Sequence, residues 1–490
     1  MQSQGIMILV SLVLAVALAA VIISNTPVIS LAIVLGVLAL ALAFLSTNIS
    51  LYVLVFAMLL GPQFLVGGLE GGTQTAGRGL TLRFDDFLLV VMGLGWLAQV
   101  AIRRGAASSL RTPLNRPIMF YIGACVFATM IGMLAGRVKP TNGFFFLFKY
   151  YEYVFIYFMV VQAVTSEKQA KRLIVASLVT CFLVSLFAIS QIPSGARVSA
   201  PFEGQGGEPN TLGGYLVFML AIVTGLLLTT GAVKRKLPLL ILLGAGGLAL
   251  SATLSRSSYL AIGVVALAVL LLMAQRKPML FPFVLVAALA VPLWAPDSVK
   301  NRIMETFTQP VHEGQQVHVG GVRLDTSTSD RLRAWETAGN LFKVFPVWGT
   351  GVTGGPFMDT MYPRVLSETG LLGLAAFLAL LWRLFRMGVS AERHAQDPFM
   401  RGVARGFVLG LLGLMVHAVG TNTFIIVRIM EPFWLFAALV VRSLMIAQAN
   451  QAAEVASPIR AAVNNEGPGR ARMPVANDPR LARLANLRKP

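Results

Sequence analysis

The sequence has little charge for its length. Only 12% of its 490 residues are Asp, Glu, Lys or Arg, whereas 56% are hydrophobic. Soluble globular domains carry about 25% charged residues, so this composition excludes a soluble protein of this size. The chain is therefore predicted to be a polytopic membrane protein.

Cysteine and histidine are also scarce, with 2 and 4 residues in the whole chain. Cys125 and Cys181 both fall inside predicted helices, and no spacing typical of a metal site occurs. The pattern favours small apolar packing residues over a disulfide. No metal and no other cofactor is predicted.

Long apolar runs dominate the rest of the chain. A helix needs about 20 residues to cross about 30 Å of hydrocarbon, and the sequence contains about fourteen such runs. They lack the alternation of a barrel strand, so an all-α fold is expected. The approximate spans are residues 6–24, 28–46, 49–67, 85–102, 117–136, 144–165, 173–191, 211–230, 237–253, 257–274, 279–296, 365–382, 402–420 and 423–446.

The net charge of +19 is a topology signal. Alternate connections hold about 17 basic residues against about 6 in the connections between them, the bias that keeps loops in the cytoplasm. Both termini are therefore predicted to be cytoplasmic. Residues 1–447 form the predicted transmembrane domain, and residues 448–490 a basic, disordered tail near anionic lipid headgroups. Nucleic-acid binding is not predicted, because no aromatic stacking residue accompanies the charges of the tail.

This topology places two long polar segments outside the membrane. One is RVSAPFEGQGGEPNTLGGYL, residues 197–216, and the other is a loop of about 65 residues, 295–362, a length typical of functional or disordered loops. Within the loop, apolar residues recur at near-helical spacing, at Leu332, Trp335, Phe342 and Phe345. The spacing predicts an amphipathic helix on the outer membrane surface. A packed lid without chemistry is the alternative.

External connections should be poor in Lys and Arg, yet this chain places several arginines there. Each one alone is explained as an interfacial, snorkelling side chain. Together they indicate an anion site, because the planar guanidinium group suits phosphate oxygens. Pro209 and Asn210 mark the start of the next helix, beside glycines that let the backbone approach a ligand closely. The external arginines are Arg197, Arg256, Arg331 and Arg333.

Ionisable residues also fall inside predicted helices, towards the outer side. Charges at that depth are costly and are read by default as functional. Lys149 with Glu152, and Arg428 with Glu431, are each three residues apart and could instead neutralise each other on one helix face. Both interpretations stay open, and His417 belongs to the same group of intramembrane residues.

Four segments, in order, resemble the O-antigen ligase and polymerase superfamily of bacterial polysaccharide assembly. RVSAPFEGQGGEPNTLGGYL resembles its external segment of arginine, glycine and Pro-Asn, and TLSRSSYLAI its Ser-Arg helix start. DRLRAWETAGNLFKVFPVWGTG resembles its Arg-x3-Trp motif followed by Pro and Gly-x-Gly, and SETGLLGL its Glu-x-Gly helix opening. KYYEYVFIYF also resembles its aromatic sixth-helix segment. These pieces span most of residues 149–373.

The resemblance implies a metal-independent glycosyltransferase of the bacterial cytoplasmic (inner) membrane. Such enzymes transfer an oligosaccharide from a polyprenyl diphosphate carrier to a sugar hydroxyl on the outer face. Family ligases typically carry His-Asn about nine residues before the Glu-x-Gly glutamate, where this chain has Asp359 and Thr360. That departure favours a polymerase. Ligation to a lipid A core or to protein, and transport of lipid-linked sugars, stay as alternatives, and binding of a chain-length regulator stays open.

Residue roles follow from the same resemblance. Arg197 and Arg256 are expected to hold the diphosphate, and Arg331 to contact the diphosphate or the glycan. Asp359 is the expected base, because the donor is already activated and the acceptor hydroxyl must lose a proton. Further substrate contacts are expected from Arg333, Lys149, Asn210, Trp335, Glu368 (also a weaker candidate for the base) and Arg428.

Overall fold

The computed structural model describes residues 47–65, 81–102, 111–203, 207–274, 282, 297–311 and 316–465. The predicted spans 6–24, 28–46 and 279–296 lie wholly or mostly outside these residues. The chain divides into two units, Met1–Leu444 and Met445–Pro490. Of the predicted tail, residues 448–465 continue the last helix, and the remainder lies outside the described residues.

Within the described residues the structure consists of 13 α-helices and two short antiparallel hairpins. The hairpins are β1 (Gln63–Leu65) with β2 (Thr81–Arg83), and β3 (His318–Val319) with β4 (Val322–Arg323). The helices are α1 (Thr47–Leu60), α2 (Phe84–Ile102), α3 (Asn115–Leu134), α4 (Pro140–Ala163), α5 (Glu167–Gln191), α6 (Pro209–Thr229), α7 (Val233–Ala252), α8 (Arg256–Ala274), α9 (Asp297–Thr308), α10 (Thr326–Val344), α11 (Met361–His394), α12 (Pro398–His417) and α13 (Val427–Asn465).

Nine of the described helices, α3 to α8 and α11 to α13, are long and apolar enough to cross a membrane. The predicted all-α, multi-pass membrane class is therefore confirmed. The count of about fourteen spans stays a prediction, because several of those spans lie outside the described residues and α1 is a shorter apolar helix.

The centre of the bundle is the contact between α6 and α12. A Cβ atom built on Gly225 would lie 2.3 Å from the carbonyl oxygen of Gly402 and 2.4 Å from the nitrogen of Gly406. Only glycine allows two helix backbones to approach so closely, and small residues spaced four apart are the usual means of helix association in lipid. Phe218 on α6 then packs edge-on against Phe433 and Phe436 of α13.

Helix α11 is interrupted near its start. Gly370 has φ 65° and ψ −165°, a conformation essentially restricted to glycine. The interruption leaves peptide groups that bond to the preceding loop: the nitrogens of Thr350 and Gly351 donate to the carbonyls of Ser367 and Glu368, each at 2.9 Å. The nitrogen of Leu371 donates to Pro346 at 2.9 Å. These bonds hold the start of the loop that leads to Asp359.

Replacing Gly370 with alanine is expected to lower thermal stability. An L side chain is strained at this backbone conformation, by about 1–3 kcal/mol, and its Cβ would lie 2.3 Å from the carbonyl oxygen of Val347. The measurement is the thermal midpoint of the detergent-solubilised protein. Gly339→Ala on α10, where a new Cβ meets no atom within 4 Å, is the control and should not lower the midpoint. Equal midpoints for the two variants would contradict this account of the break.

Candidate functional site

The turn between α7 and α8 brings two distant arginines together. The Nε atom of Arg197 donates to the carbonyl of Thr253 at 3.0 Å, and the Nε atom of Arg302 donates to the carbonyl of Leu254 at 3.3 Å. Leu254 has a positive φ of 50°, which turns the chain sharply into α8. The external 197–216 segment, α9 and the start of α8 therefore converge on one turn.

Arg256, the first residue of α8, ties that turn to α9 and α10. One of its terminal nitrogens lies 2.5 Å from the Thr306 hydroxyl, and the other forms an ion pair with Asp325. Asp325 also caps α10, because its carboxylate accepts from the nitrogen of Thr328 at 3.3 Å. Partial burial acts to raise the pKa of Asp325, but the bonds from Arg256 and Thr328 outweigh it and lower the pKa. The carboxylate is thus held ionised beside the arginine.

Arg331 lies six residues beyond Asp325 on α10 and faces the same region. Its Nε atom donates to the carbonyl of Gly420 at 3.0 Å, just beyond the end of α12. Burial lowers the pKa of Arg331, and nearby Arg256 lowers it further, while Asp359 acts in the opposite direction. The exposed Asp359 carboxylate is therefore close enough to Arg331 for the two charges to interact.

We define the arginine cluster as Arg197, Arg256, Arg302 and Arg331. Burial lowers the pKa of Arg197, and Arg302 and Arg256 contribute to that shift as neighbouring positive charges. Arg256 is paired with Asp325, and Arg302 with Glu305. Arg197 and Arg331 each donate only to a backbone carbonyl through Nε, and their terminal nitrogens have no partner among the described residues. Those terminal nitrogens are the donors that an anionic ligand would use.

A buried chain of hydroxyl groups lies behind the start of α8. The Ser255 hydroxyl donates to the side-chain oxygen of Asn210 at 2.8 Å, and Ser258 lies 2.9 Å from Ser255. Ser258 in turn lies 3.1 Å from Nε2 of the fully buried His417. This chain links the starts of α6 and α8 to the end of α12, next to the arginine cluster. Asn210, expected to contact substrate, therefore has a partner within the protein, and its substrate contact stays a prediction.

The predicted helix over the Arg-x3-Trp motif is present as α10, and it packs against the protein through its alanines. Ala334 and Ala338 are buried against Met358 and Leu341, whereas Leu332 and Trp335 are 39% and 47% exposed. Small alanines allow close packing, so the larger apolar side chains remain outside. Contact of that outer face with the membrane surface stays a prediction, as do the roles of Trp335 and of Arg333, which lies 3.8 Å from Asp330.

Glu368 is engaged inside α11. One of its oxygens accepts from Nε of Arg364 at 3.0 Å and from the nitrogen of Thr353 at 3.3 Å. Both charged side chains are largely buried. These contacts give Glu368 a structural task, to hold the turn that follows Thr350, and its role as substrate contact or base stays untested.

Lys149 and Arg428 belong to a separate buried ionic region. Lys149 lies 3.0 Å from Glu152, the pairing suggested by their spacing, and also 2.6 Å from Asp86. Arg428 does not form an ion pair with Glu431, the alternative that their spacing had left open. It donates instead to the carbonyls of Leu59 and Pro201 at 3.1 and 2.9 Å, so it anchors the 197–216 segment. Substrate contact by either side chain stays a prediction.

Glu203 connects the two described parts of the 197–216 segment, residues 197–203 and 207–216. Its carboxylate accepts from the nitrogens of Ala200 and Glu208 at 3.3 and 3.0 Å, and lies 3.7 Å from Arg428. Burial raises the pKa of Glu203 to about 7, although Arg428 acts to lower it. The glycines expected to approach a ligand at residues 204 and 206 lie outside the described residues.

The fold defines the class, a multi-pass helical membrane protein, and comparison with known proteins gives the family that it resembles. Residues 239–378 match the family model of O-antigen ligase, and that match supports the O-antigen ligase and polymerase superfamily. The matched segment contains Arg256, Arg302, Arg331 and Asp359, and Arg197 precedes it. A comparison with curated proteins gives no significant match.

Arg302 and Asp325 are the members of the site that sequence reasoning missed. Both lie in the predicted external loop, where the rule that singled out Arg331 applies equally to Arg302. Neither falls in a quoted motif. The pairing of Asp325 with Arg256 joins residues 69 positions apart, and no local pattern signals such a contact.

The raised pKa of Glu203 predicts a pH-dependent stability. The folded-state pKa lies above the ordinary value of 4.5, so the stabilising contribution is complete below about pH 4.5 and is lost as pH rises through about 7. The loss is on the order of 3 kcal/mol, at 1.36 kcal/mol for each pKa unit. Arg428 and Glu208 are the charged groups that face it. The thermal midpoint of Glu203→Gln should therefore change less between pH 5 and pH 8 than that of the wild type.

The control for this experiment is Asp330→Asn, because the Asp330 side chain is 69% exposed. That variant should keep the pH dependence of the wild type. If the thermal midpoint of Glu203→Gln falls with pH as steeply as that of the wild type, a group other than Glu203 causes the pH dependence.

Proposed function

We propose that this protein polymerises oligosaccharide repeat units linked to polyprenyl diphosphate, at the outer face of the bacterial cytoplasmic membrane. Cell-surface polysaccharide assembly of the O-antigen ligase and polymerase type is the coarser activity that the family match supports. The polymerase role, the diphosphate donor, the inner membrane and the cytoplasmic termini are the finer parts of the proposal.

The observation that carries the proposal is the convergence of the arginine cluster with Asp359. Arg197, Arg256 and Arg331 come from three segments far apart in the chain, and contacts at the starts of α8 and α10 bring them together. The resemblance assigned all three to a diphosphate or glycan. Terminal nitrogens without protein partners on Arg197 and Arg331 support that assignment, because phosphate oxygens accept from such donors.

In the proposed reaction these residues stabilise the leaving group, remove a proton from the acceptor and position the two substrates. The bond between the sugar carbon and the diphosphate oxygen breaks, and the acceptor hydroxyl oxygen forms the new bond to that carbon. The arginine cluster stabilises the negative charge that grows on the departing diphosphate. Asp359, exposed and next to Arg331, takes the proton from the acceptor hydroxyl. In this proposal Arg331 contacts the leaving group on one side and Asp359 on the other, which would position donor and acceptor together.

Ligation is the second candidate function, because the matching family model is that of O-antigen ligase. A ligase would use the same arginine cluster with a lipid A core or a protein as acceptor. The Asp359-Thr360 pair, in place of the His-Asn typical of family ligases, favours polymerisation.

The deciding experiment supplies a lipid-linked repeat unit as the sole substrate to the purified, detergent-solubilised protein. A product ladder spaced by one repeat is the expected result. If transfer appears only after a lipid A core or a protein is added, the protein is a ligase and the polymerase assignment is wrong.

Arg331→Ala is expected to abolish the ladder without disturbing the fold. Its loss removes one donor to the leaving group, at about 3–4 kcal/mol or about 10²–10³-fold in rate by analogy with an oxyanion-hole donor. Arg256→Lys should also lose activity, because lysine keeps the charge but not the planar fork. Lys343→Ala, an exposed cation on the same helix α10, is the control. Wild-type product from Arg331→Ala would refute the proposed site.

Asp359→Asn tests the base. Removal of a general base costs about 10²–10⁴-fold in rate, and substrate binding should be retained. Initial rates across pH 5 to pH 8 are the measurement, and Glu368→Gln is the comparison, expected to act through thermal stability because Glu368 pairs with Arg364. A normal rate for Asp359→Asn, with loss of chemistry in a stably folded Glu368→Gln, would move the base to Glu368.

A further inference from the structure

A second ionic assembly lies where β2, α2, α4 and α13 meet. We define the carboxylate cluster as Asp85, Asp86, Glu152 and Glu431, all buried. Two cations contact it. The terminal nitrogen of Arg83 lies 2.5 Å from Asp85 and 3.5 Å from Glu431, and Lys149 lies 2.6 Å from Asp86.

The charges in this assembly do not balance. Four carboxylates face two cations, which leaves two negative charges when all groups are ionised. Adding the neighbouring Arg428 together with Glu203, which lies 3.7 Å from it, adds one charge of each sign when both are ionised and leaves the excess at two. Buried charge without compensation is costly, so two further positive charges, carried either by protons or by a bound cation, must balance the cluster.

The geometry shows where that charge belongs. Asp85, Glu152 and Glu431 each offer a carboxylate oxygen, and these three oxygens lie within 4.8 Å of one another. Oxygen ligands about 2.0–2.6 Å from a hard cation are separated by distances up to about 5 Å, so the spacing fits a shared ion.

The hydrogen bonding of these side chains points to the same place. Glu431 is fully buried, and neither of its oxygens accepts a hydrogen bond from an N–H or hydroxyl donor among the described residues. One oxygen of Glu152, whose side chain is 2% exposed, likewise accepts no hydrogen bond among the described residues, whereas the other lies 3.0 Å from the Lys149 ammonium group. A proton shared within a carboxyl pair occupies one oxygen of each partner, whereas a cation can draw on several oxygens at once.

We propose that Asp85, Glu152 and Glu431 bind one divalent cation of the oxygen-preferring class, Ca²⁺, Mg²⁺ or Mn²⁺. The ion balances the two excess charges and joins α2, α4 and α13. It has no part in the transfer reaction. Its effect on the arginine cluster is indirect, because Arg428 beside it holds the carbonyl of Pro201 in the segment that carries Arg197.

The test uses the full-length protein in detergent, treated with EDTA and then freed of it. Thermal midpoints are measured during titration with Ca²⁺, Mg²⁺ and Mn²⁺, and retained metal is counted by mass spectrometry after gel filtration. The expected result is one ion for each chain and a midpoint that rises with the logarithm of cation concentration. No retained ion, together with a midpoint that responds to pH but to none of the cations, would overturn the proposal and assign the two positive charges to protons.

Glu431→Gln removes one ligand with little change of shape and should weaken cation binding by at least about tenfold. Its matched control is Glu392→Gln, which removes a carboxylate on α11 that pairs with Arg405 of α12, outside the carboxylate cluster. The control should keep the wild-type response to cations. An equal response in Glu431→Gln and wild type would refute the site. If Glu431→Gln does not fold, Asp85→Asn and the wild-type stoichiometry decide the question.

Discussion

The backbone contact between α6 and α12 is the constraint on which the rest of the structure depends. Gly225, Gly402 and Gly406 let the two helices meet without intervening side chains. In lipid, where hydrocarbon surrounds every helix, such van der Waals contact supplies association that the hydrophobic effect does not. Because the two helices lie so close, the end of α12 reaches the start of α6, where Gly214 faces the ring of His417.

The candidate site is built outward from that end of the bundle. His417 joins the hydroxyl groups of Ser258 and Ser255 to Asn210, and this chain sets where α8 begins. The start of α8 then sets the position of Arg256, and the Arg256 ion pair with Asp325 sets the start of α10. The position of α10 in turn sets the position of Arg331. Each guanidinium group is thus positioned by contacts that need no ligand, which is the preorganisation that electrostatic stabilisation of a leaving group requires.

Two ionic assemblies of opposite character occur in the described part of the chain. The arginine cluster contains two cations whose terminal nitrogens have no partner among the described residues, and it faces the exposed Asp359. The carboxylate cluster is buried and has more negative than positive charge. Arg428 connects them, because it lies beside Glu203 and holds the segment that carries Arg197. A change in the charge of the buried assembly can therefore reach the position of Arg197 through one side chain.

Composition and hydrophobic periodicity determined the membrane class and most of the helical spans, because burial in lipid imposes long apolar runs. The family resemblance came from the short motifs found in order along the chain. The external arginines were equally visible, since the sequence rule for loops makes them exceptional. Tertiary structure alone decided their partners. Arg302 joined the cluster, Asp325 paired with Arg256, Arg428 lay beside Glu203, and α10 packed through its alanines. Those outcomes depend on contacts between residues far apart in the chain, and local spacing carries no information about them.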